Sequence, residues 1–466
     1  MHRTGERQVQ VTTQVPMDEV ELTNAIERYY SRIGPTLQLL LGEDAGRSPE
    51  FNPGPELPGM TSGIREFFSA SGLHHASMGE YGGKRLALLN LALNPGTRTT
   101  KTFASLLTVA RAVRFIQETG ERVMILTPSS ANKATAMRDA VLRALRLDLV
   151  TPEQLSVSVV IPQGSTSKLW DSELHRDPEL QARNPVAVYP GTDPAGVKAL
   201  ARHVVDAYGS ALKDAAGVNL WYTLDLNNYM AADVVRAFVE SELFPPVAPR
   251  LHVHAVSSAY GLLGHAQGRA LLDESTREHT PRPRYFLVQH LGAPDMVLSL
   301  YHGGTSRDLV PAYRYDDMTG LFEQRTDPRF PYLTADTSET LDTTFYTRNP
   351  PTSARMNELI HSHGGGGIVV SLHECLSRYA QVRALLRKAR LELPADPREL
   401  REWSLVMAMT GLLNAVDRGL IDEEDVLVHG SGCYSVHDYS VLPHTALHLV
   451  ENGDMLKDVV FKAAQA

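Results

Sequence analysis

The chain is poor in cysteine, in long apolar runs and in basic clusters, and each shortage excludes something. Cys375 and Cys433 are the only two cysteines in 466 residues, so no disulfide framework supports the fold and a cytoplasmic location is expected. No window approaches the 18 or more consecutive apolar residues of a membrane span, and the opening "MHRTGERQVQVTTQ" has no apolar signal core. The net charge is −9 and no long basic run occurs, so neither nucleic acid nor a membrane is the expected partner. With 43% hydrophobic and 21% charged residues, the balance is that of a soluble globular chain of about two or three domains.

What is present is alternation. Apolar runs such as "RVMILTP", "LSVSVVIPQG", "NPVAVYPG", "RLHVHAV", "RYFLVQHL" and "EDVLVHGSG" read as strands, and "MVLSLYHGG" has the same look. Between them lie helical patterns, among them "TFASLLTVARAVRFIQETG", "NKATAMRDAVLRALRL" and "PAGVKALARHVVDAYGSAL". Ahead of these, "MDEVELTNAIERYYSRIGPTLQLLL" has a helical period and "SPEFNPGPELPGMTSG" reads as a linker. Strands alternating with helices imply an α/β fold with largely parallel sheets, in which ligands sit at the carboxyl ends of strands.

Three strand-end loops are candidates under that rule. Ser129, Ser130, Ala131 and Asn132 turn the chain after Pro128, where small residues and a helix N-terminus suit an anion; the same letters also make an ordinary helix cap. Ser257, Ser258, Ala259, Tyr260 and Gly261 follow the strand Leu251–Val256, with a helix expected near Gly264. Gly430, Ser431, Gly432 and Cys433 follow His429, and no base partner is evident for the thiol. A fourth feature is Lys101, a cation opening a helix against the helix dipole. His252 and His254 share one face of a strand, but no acid or cysteine cluster lies near them in sequence, so no metal site is expected.

The most conspicuous letters, "IHSHGGGGIVVS", fall differently. The helical pattern "ARMNELIHSH" precedes the glycines and "IVVS" follows, so Gly364 to Gly367 lead into a strand and are read as scaffold. A phosphate loop at these glycines is the alternative, were "IVVSLHECL" helical.

Order and spacing together resemble the fold type II family of pyridoxal-phosphate enzymes, most of all threonine synthase, with cysteate synthase as a relative. The resemblance runs from about Gly82 to about Ser435. "TTKTFASL" matches the lysine that carries the cofactor, "PSSANKATA" the asparagine loop, "AVSSAYGLLGHAQG" the phosphate loop, and Ser431 the hydroxyl facing the pyridine nitrogen. Departures occur where the pattern has Phe and Asp beside the lysine (here Thr100 and Thr102) and Gly in the asparagine loop (here Ala131).

The resemblance implies pyridoxal 5′-phosphate as cofactor, held by Lys101, Asn132, Ser257, Ser258, Ala259, Tyr260, Gly261 and Ser431, with Lys101 also the catalytic base. It implies a substrate carboxylate at the Ser129–Ala131 amides. Lys133 is added as a contact for an anionic tail, against the plainer reading of a solvated helix lysine. The implied architecture is two α/β domains with the cofactor between them: an N-terminal helical segment and linker over 1–60, a large unit from 61–103 and 236–466, and a smaller one over 104–235. The implied activity is elimination or replacement at the β or γ carbon of a small amino acid by a homodimer. A β-replacement on a serine- or cysteine-derived substrate, or a non-catalytic protein of the same fold, are the alternatives.

Overall fold

A computed structural model describes residues 19–42, 50–224, 226–275 and 281–466. The N-terminal "MHRTGERQVQVTTQ" and the first letters of the expected linker lie outside the described residues. The architecture is α/β, with two sheets whose cores are parallel.

The larger sheet has seven strands in the order Glu19–Leu22, Leu73–Tyr81, Lys84–Asn90, Asp425–His429, Leu251–Ala255, Arg284–His290 and Gly365–Val370. The last five run parallel, and the first two add antiparallel at one edge. The smaller sheet is all parallel, in the order Leu447–Leu449, Val186–Tyr189, Leu155–Pro162, Arg122–Pro128 and Val218–Tyr222. A three-stranded antiparallel patch, Arg314–Asp316, Leu321–Glu323 and Leu333–Thr334, decorates the loop-rich region.

Parallel strands are covered on both faces, so they read as apolar runs with little alternation. Leu155–Pro162 is buried at all eight positions. In the larger sheet Phe286, Val288, Ile368 and Val370 pack with Leu405, Met409 and Leu412 of the helix Ser404–Asp417. Each such side chain, fully buried, contributes roughly 1.5–3 kcal/mol of transfer free energy.

The structure departs from the sequence reading at several places. "MVLSLYHGG" is the helix Asp295–His302, closed by Gly303 in the left-handed conformation, and not a strand. A short apolar run does not by itself reveal its period. In the N-terminal pattern, Glu19–Leu22 leaves the helical stretch to pair with Leu73–Tyr81. The chain also returns to the smaller sheet after residue 446. Leu447–Leu449 pairs with Val186–Tyr189, and the helix Gly453–Gln465 packs on the helix Gly196–Ala216, beyond the 104–235 span of the smaller unit.

The glycine run behaves as scaffold. Gly365–Val370 is a strand, entered from the helix Ser353–His363, and it pairs in parallel with Tyr285–His290. Gly365 takes φ +113, and a Cβ there would stand 2.0 Å from the carbonyl oxygen of Tyr285.

Candidate active site

One cavity of about 370 Å³ opens where strand ends from both sheets converge. Its wall includes Thr99, Thr100 and Lys101 from one helix start, Ser129 to Lys133 except Ala131 from a second, Ser257 to Gly261 from a third, and Ser431 and Gly432 from the turn after His429. The segment Thr344–Thr347 and Lys198 also line it. The fold therefore gathers Lys101, Ser129, Ser130, Asn132, Lys133, Ser257, Ser258, Ala259, Tyr260, Gly261 and Ser431 around one space. Ala131 is buried in the turn behind it, and Gly364 to Gly367 are not among its lining residues.

Lys101 is the first residue of the helix Lys101–Thr119. Among the described residues its amine has neither a hydrogen-bond nor an ion-pair partner, and it stands 5.4 Å from the centre of the Tyr229 ring. Burial holds its pKa below the usual lysine value; Arg236 acts the same way, against Asp233 and Glu402. Lys133 stands 5.6 Å from that ring, and its amine donates to the Thr223 carbonyl at 2.9 Å. Tyr229 in turn stacks on Tyr260, with ring centres 5.0 Å apart.

The loop before the helix Asn132–Arg146 is tightly self-bonded. Ser129 Oγ accepts from the amides of Ala131 and Ala134, and the Ser129 amide donates to Val160. Of the three amides expected for a carboxylate, only that of Ser130 has no acceptor among the described residues. Ala131 adopts φ +95, a costly conformation for a residue with a Cβ. Asn132 is held from two sides: its Nδ2 donates to Glu402 Oε2 at 2.8 Å, and its Oδ1 accepts from the Tyr434 hydroxyl at 2.8 Å.

The second loop is more open. The helix begins at Tyr260, four residues before the expected Gly264, so Ser257 to Ala259 form its approach. The amides of Ser257, Ser258 and Ala259 have no protein acceptor among the described residues, and Ala259 takes φ +53. Successive free amides beside a left-handed residue make an anion-binding concavity. Among the described residues, Ser257 Oγ and His254 Nδ1 are buried without partners at the same wall. Gly261 has no room for a side chain, since a Cβ would lie 2.7 Å from His254 Cε1.

Ser431 is almost wholly buried at the cavity wall. The neighbouring thiol of Cys433 is pushed up to about 12 by burial, which removes it as a nucleophile at neutral pH. It lines a separate cavity with Arg98, His437 and Asp438.

Several residues of this region carry no local sequence signal. Tyr229, Lys198, Ser404 and Tyr346 reach the cavity by topology alone, and Glu402 sits directly behind it. The histidine pair on Leu251–Ala255 also needs correction. His252 does meet an acid, because the helices Val235–Leu243 and Tyr260–Ser275 bring Glu240 and His265 to it, with ligand atoms within 4.8 Å of one another. Both carboxylate oxygens of Glu240 are engaged, by Arg250 at 2.9 Å and His265 at 2.8 Å.

No helix among the described residues is long and apolar enough to cross a membrane. No curated protein matches the chain. Among solved structures, an L-serine ammonia-lyase from the fungus Rhizomucor miehei is 15% identical with a TM-score of 0.48, over 80% of this chain and 95% of that one. A PLP-bound threonine synthase from Brucella melitensis is 13% identical with a TM-score of 0.48, over 82% and 79%. A serine racemase from Dictyostelium discoideum is 13% identical with a TM-score of 0.43, over 86% and 97%. Residues 21–464 match the family described as "Family of unknown function (DUF6002)", and the chain belongs to that family.

Proposed function

We propose that the chain is a pyridoxal-phosphate-dependent enzyme that eliminates or replaces a group at the β or γ carbon of an amino acid. The observation that carries this reading is Lys101. It is a lysine without an ionic partner among the described residues, its pKa held down by burial, and it shares a cavity with an anion-binding loop. A lysine whose pKa is lowered gives up its proton more readily, and the free amine is the nucleophile and base that this chemistry needs.

The residues present fit the cofactor. Ser257 Oγ and the three amides of Ser257, Ser258 and Ala259 are donors in search of acceptors, which suits a phosphate dianion. When bound, the cofactor supplies an electron sink for charge developing at the substrate Cα.

The chain's own groups then divide the work. Ser257 to Gly261 would hold the phosphate, with Gly261 packed against His254 where no side chain fits. Asn132 has one amide hydrogen spent on Glu402 and a second left for the 3′ oxygen of the ring. Ser431 would meet the ring nitrogen with a neutral hydroxyl. Lys101 would take the proton from Cα and return it. The Ser130 amide would bind the substrate carboxylate. Lys133 would meet an anionic tail, and if Lys133→Ala leaves substrate affinity unchanged, that role is wrong. A homodimer is part of the same proposal.

The test is spectroscopic. Protein incubated with pyridoxal phosphate should develop the visible band of a lysine-bound cofactor, and Lys101→Ala should lose it. No band in the wild type would sink the assignment. A band that shifts with individual amino acids identifies the substrate, whereas a band that none of them moves favours a non-catalytic binder.

A further inference from the structure

Behind the cavity lies a buried cluster that the proposed chemistry does not itself require. Lys168 Nζ is 2.6 Å from Asp342 Oδ1 and 3.0 Å from Glu402 Oε2, and neither carboxylate has any exposed surface. Three distant segments meet there. Lys168 ends the short turn Gln163–Lys168 after a strand of the smaller sheet. Asp342 precedes the cavity segment Thr344–Thr347, and Glu402 precedes the helix Ser404–Asp417.

Glu402 is the member that reaches the cavity. Its Oε2 accepts from Asn132 Nδ2 at 2.8 Å, and its Oε1 bonds the Ser404 hydroxyl. Asn132 and Ser404 both line the cavity. Gly432, beside Ser431, has no side chain because Glu402 occupies that space: a Cβ would lie 2.5 Å from Glu402 Cγ.

The charges do not balance. One ammonium faces two carboxylates, which leaves a net negative charge out of contact with water, and such a charge is costly. A proton removes it, and the donors decide where that proton goes. Asp342 accepts from Lys168, from the Thr344 amide and hydroxyl and from the Trp403 amide, so it stays ionised. Glu402 is left to take the proton. Burial and then Asp342 push its pKa up to about 7, against Lys168 and Asn132. Among the described residues the remaining titratable groups that face it are Lys101, which makes no contact with it and whose own pKa burial lowers, and Cys433, Tyr434 and Tyr439, which burial holds neutral.

The state of Glu402 decides what Ser404 offers. Beside a carboxylate, the Ser404 hydroxyl donates backward and presents only lone pairs to the cavity. Beside a carboxylic acid, it can accept the acid proton and turn its own hydrogen into the cavity. We propose that Glu402 is a positioning residue, which orients Asn132 and Ser404 and sets by its protonation whether Ser404 accepts or donates at the cavity wall. What Ser404 bonds to there rests on the cofactor reading; the switch itself does not.

Two readouts test this separately. In cofactor-free protein labelled with 13C at the glutamate carboxyl, the resonance missing in Glu402→Gln identifies the group. It should titrate between about pH 5.5 and 8.5, and Lys168→Met should raise its midpoint by about a pH unit or more. No glutamate titrating in that range, or a midpoint unmoved in Lys168→Met, overturns the proposal whether or not cofactor binds. With pyridoxal phosphate added, the wild-type band should change with pH at the same midpoint. That dependence should be lost in Glu402→Gln and in Ser404→Ala, the second variant serving should the first fail to fold. Dependence that persists in both also overturns the proposal. If the wild type gives no band, the cofactor reading fails and the carboxyl titration alone decides.

Discussion

Lys101 costs the fold stability at neutral pH. An amine buried without an anionic partner is harder to protonate than in the unfolded chain, so its folded pKa lies below the unfolded one. The sign follows. Below the folded pKa both states carry the proton and the penalty is full; it is relieved as pH rises through the folded pKa towards the unfolded value of about 10.4. Lys101→Met should therefore stabilise cofactor-free protein near pH 7, with the advantage shrinking as pH rises. Urea unfolding at two pH values measures it, and a destabilised variant would contradict the burial argument. Ala131 bears a second local cost. At φ +95 its Cβ is strained, and Ala131→Gly should gain about 1 kcal/mol in the same assay. Lys101, Asn132 and Ser431 could be picked out in the sequence because each sits beside a local punctuation mark, a helix start or a strand end. Glu402 and Ser404 could not. Their meaning comes from Asn132, 270 positions away, and from Lys168, 234 away, and no local pattern encodes such a meeting.

At the scale of elements, glycine serves two different ends, and substitution separates them. Gly365 belongs to a strand, where φ +113 and the nearby Tyr285 carbonyl forbid a side chain. Gly365→Ala should cost about 2–4 kcal/mol of stability, from backbone strain and overpacking together, and leave the cofactor band intact. Gly261 is the second residue of the helix that follows the open loop, where a methyl would press on the His254 ring. Gly261→Ala should weaken pyridoxal phosphate binding by about tenfold or more, equivalent to roughly 1.4 kcal/mol. A reversed pattern, with the band lost in the first and kept in the second, would move the phosphate to the glycine run. Placing the run in a strand was possible from sequence because a helical pattern precedes it and β-branched residues follow. Reading the helix Asp295–His302 as a strand shows the limit. Met296, Val297 and Leu298 are consecutive and all buried, so the run carries no period to read.

At the scale of the whole molecule, the larger sheet encloses a histidine-rich core. His252 Nδ1 lies 3.0 Å from His429 Nε2, His429 Nδ1 lies 3.1 Å from an Arg236 nitrogen, and His265 bridges Glu240 and Tyr285. His252, His254 and His429 are held well below the usual imidazole pKa by burial, with Arg236 adding to the effect at the last two; burial likewise lowers His75 to about 4. Glu240 works in the same direction. Burial alone would raise it, but the hydrogen bond from His265 and the charge of Arg250 hold it below the carboxylate range. For both kinds of group the folded pKa is depressed. Their contribution is therefore full above the unfolded value and is lost as pH falls, beginning for the histidines below about 6.5. Each proton that only the unfolded chain takes up costs about 1.4 kcal/mol per pH unit, so these four histidines together approach roughly 5 kcal/mol per pH unit. Stability from urea unfolding should thus change little between about pH 8 and 7 and fall steeply between about 6 and 5. A slope there worth one proton or less would mean that the histidines are already charged in the fold, and the neutral hydrogen-bonded core would have to be redrawn.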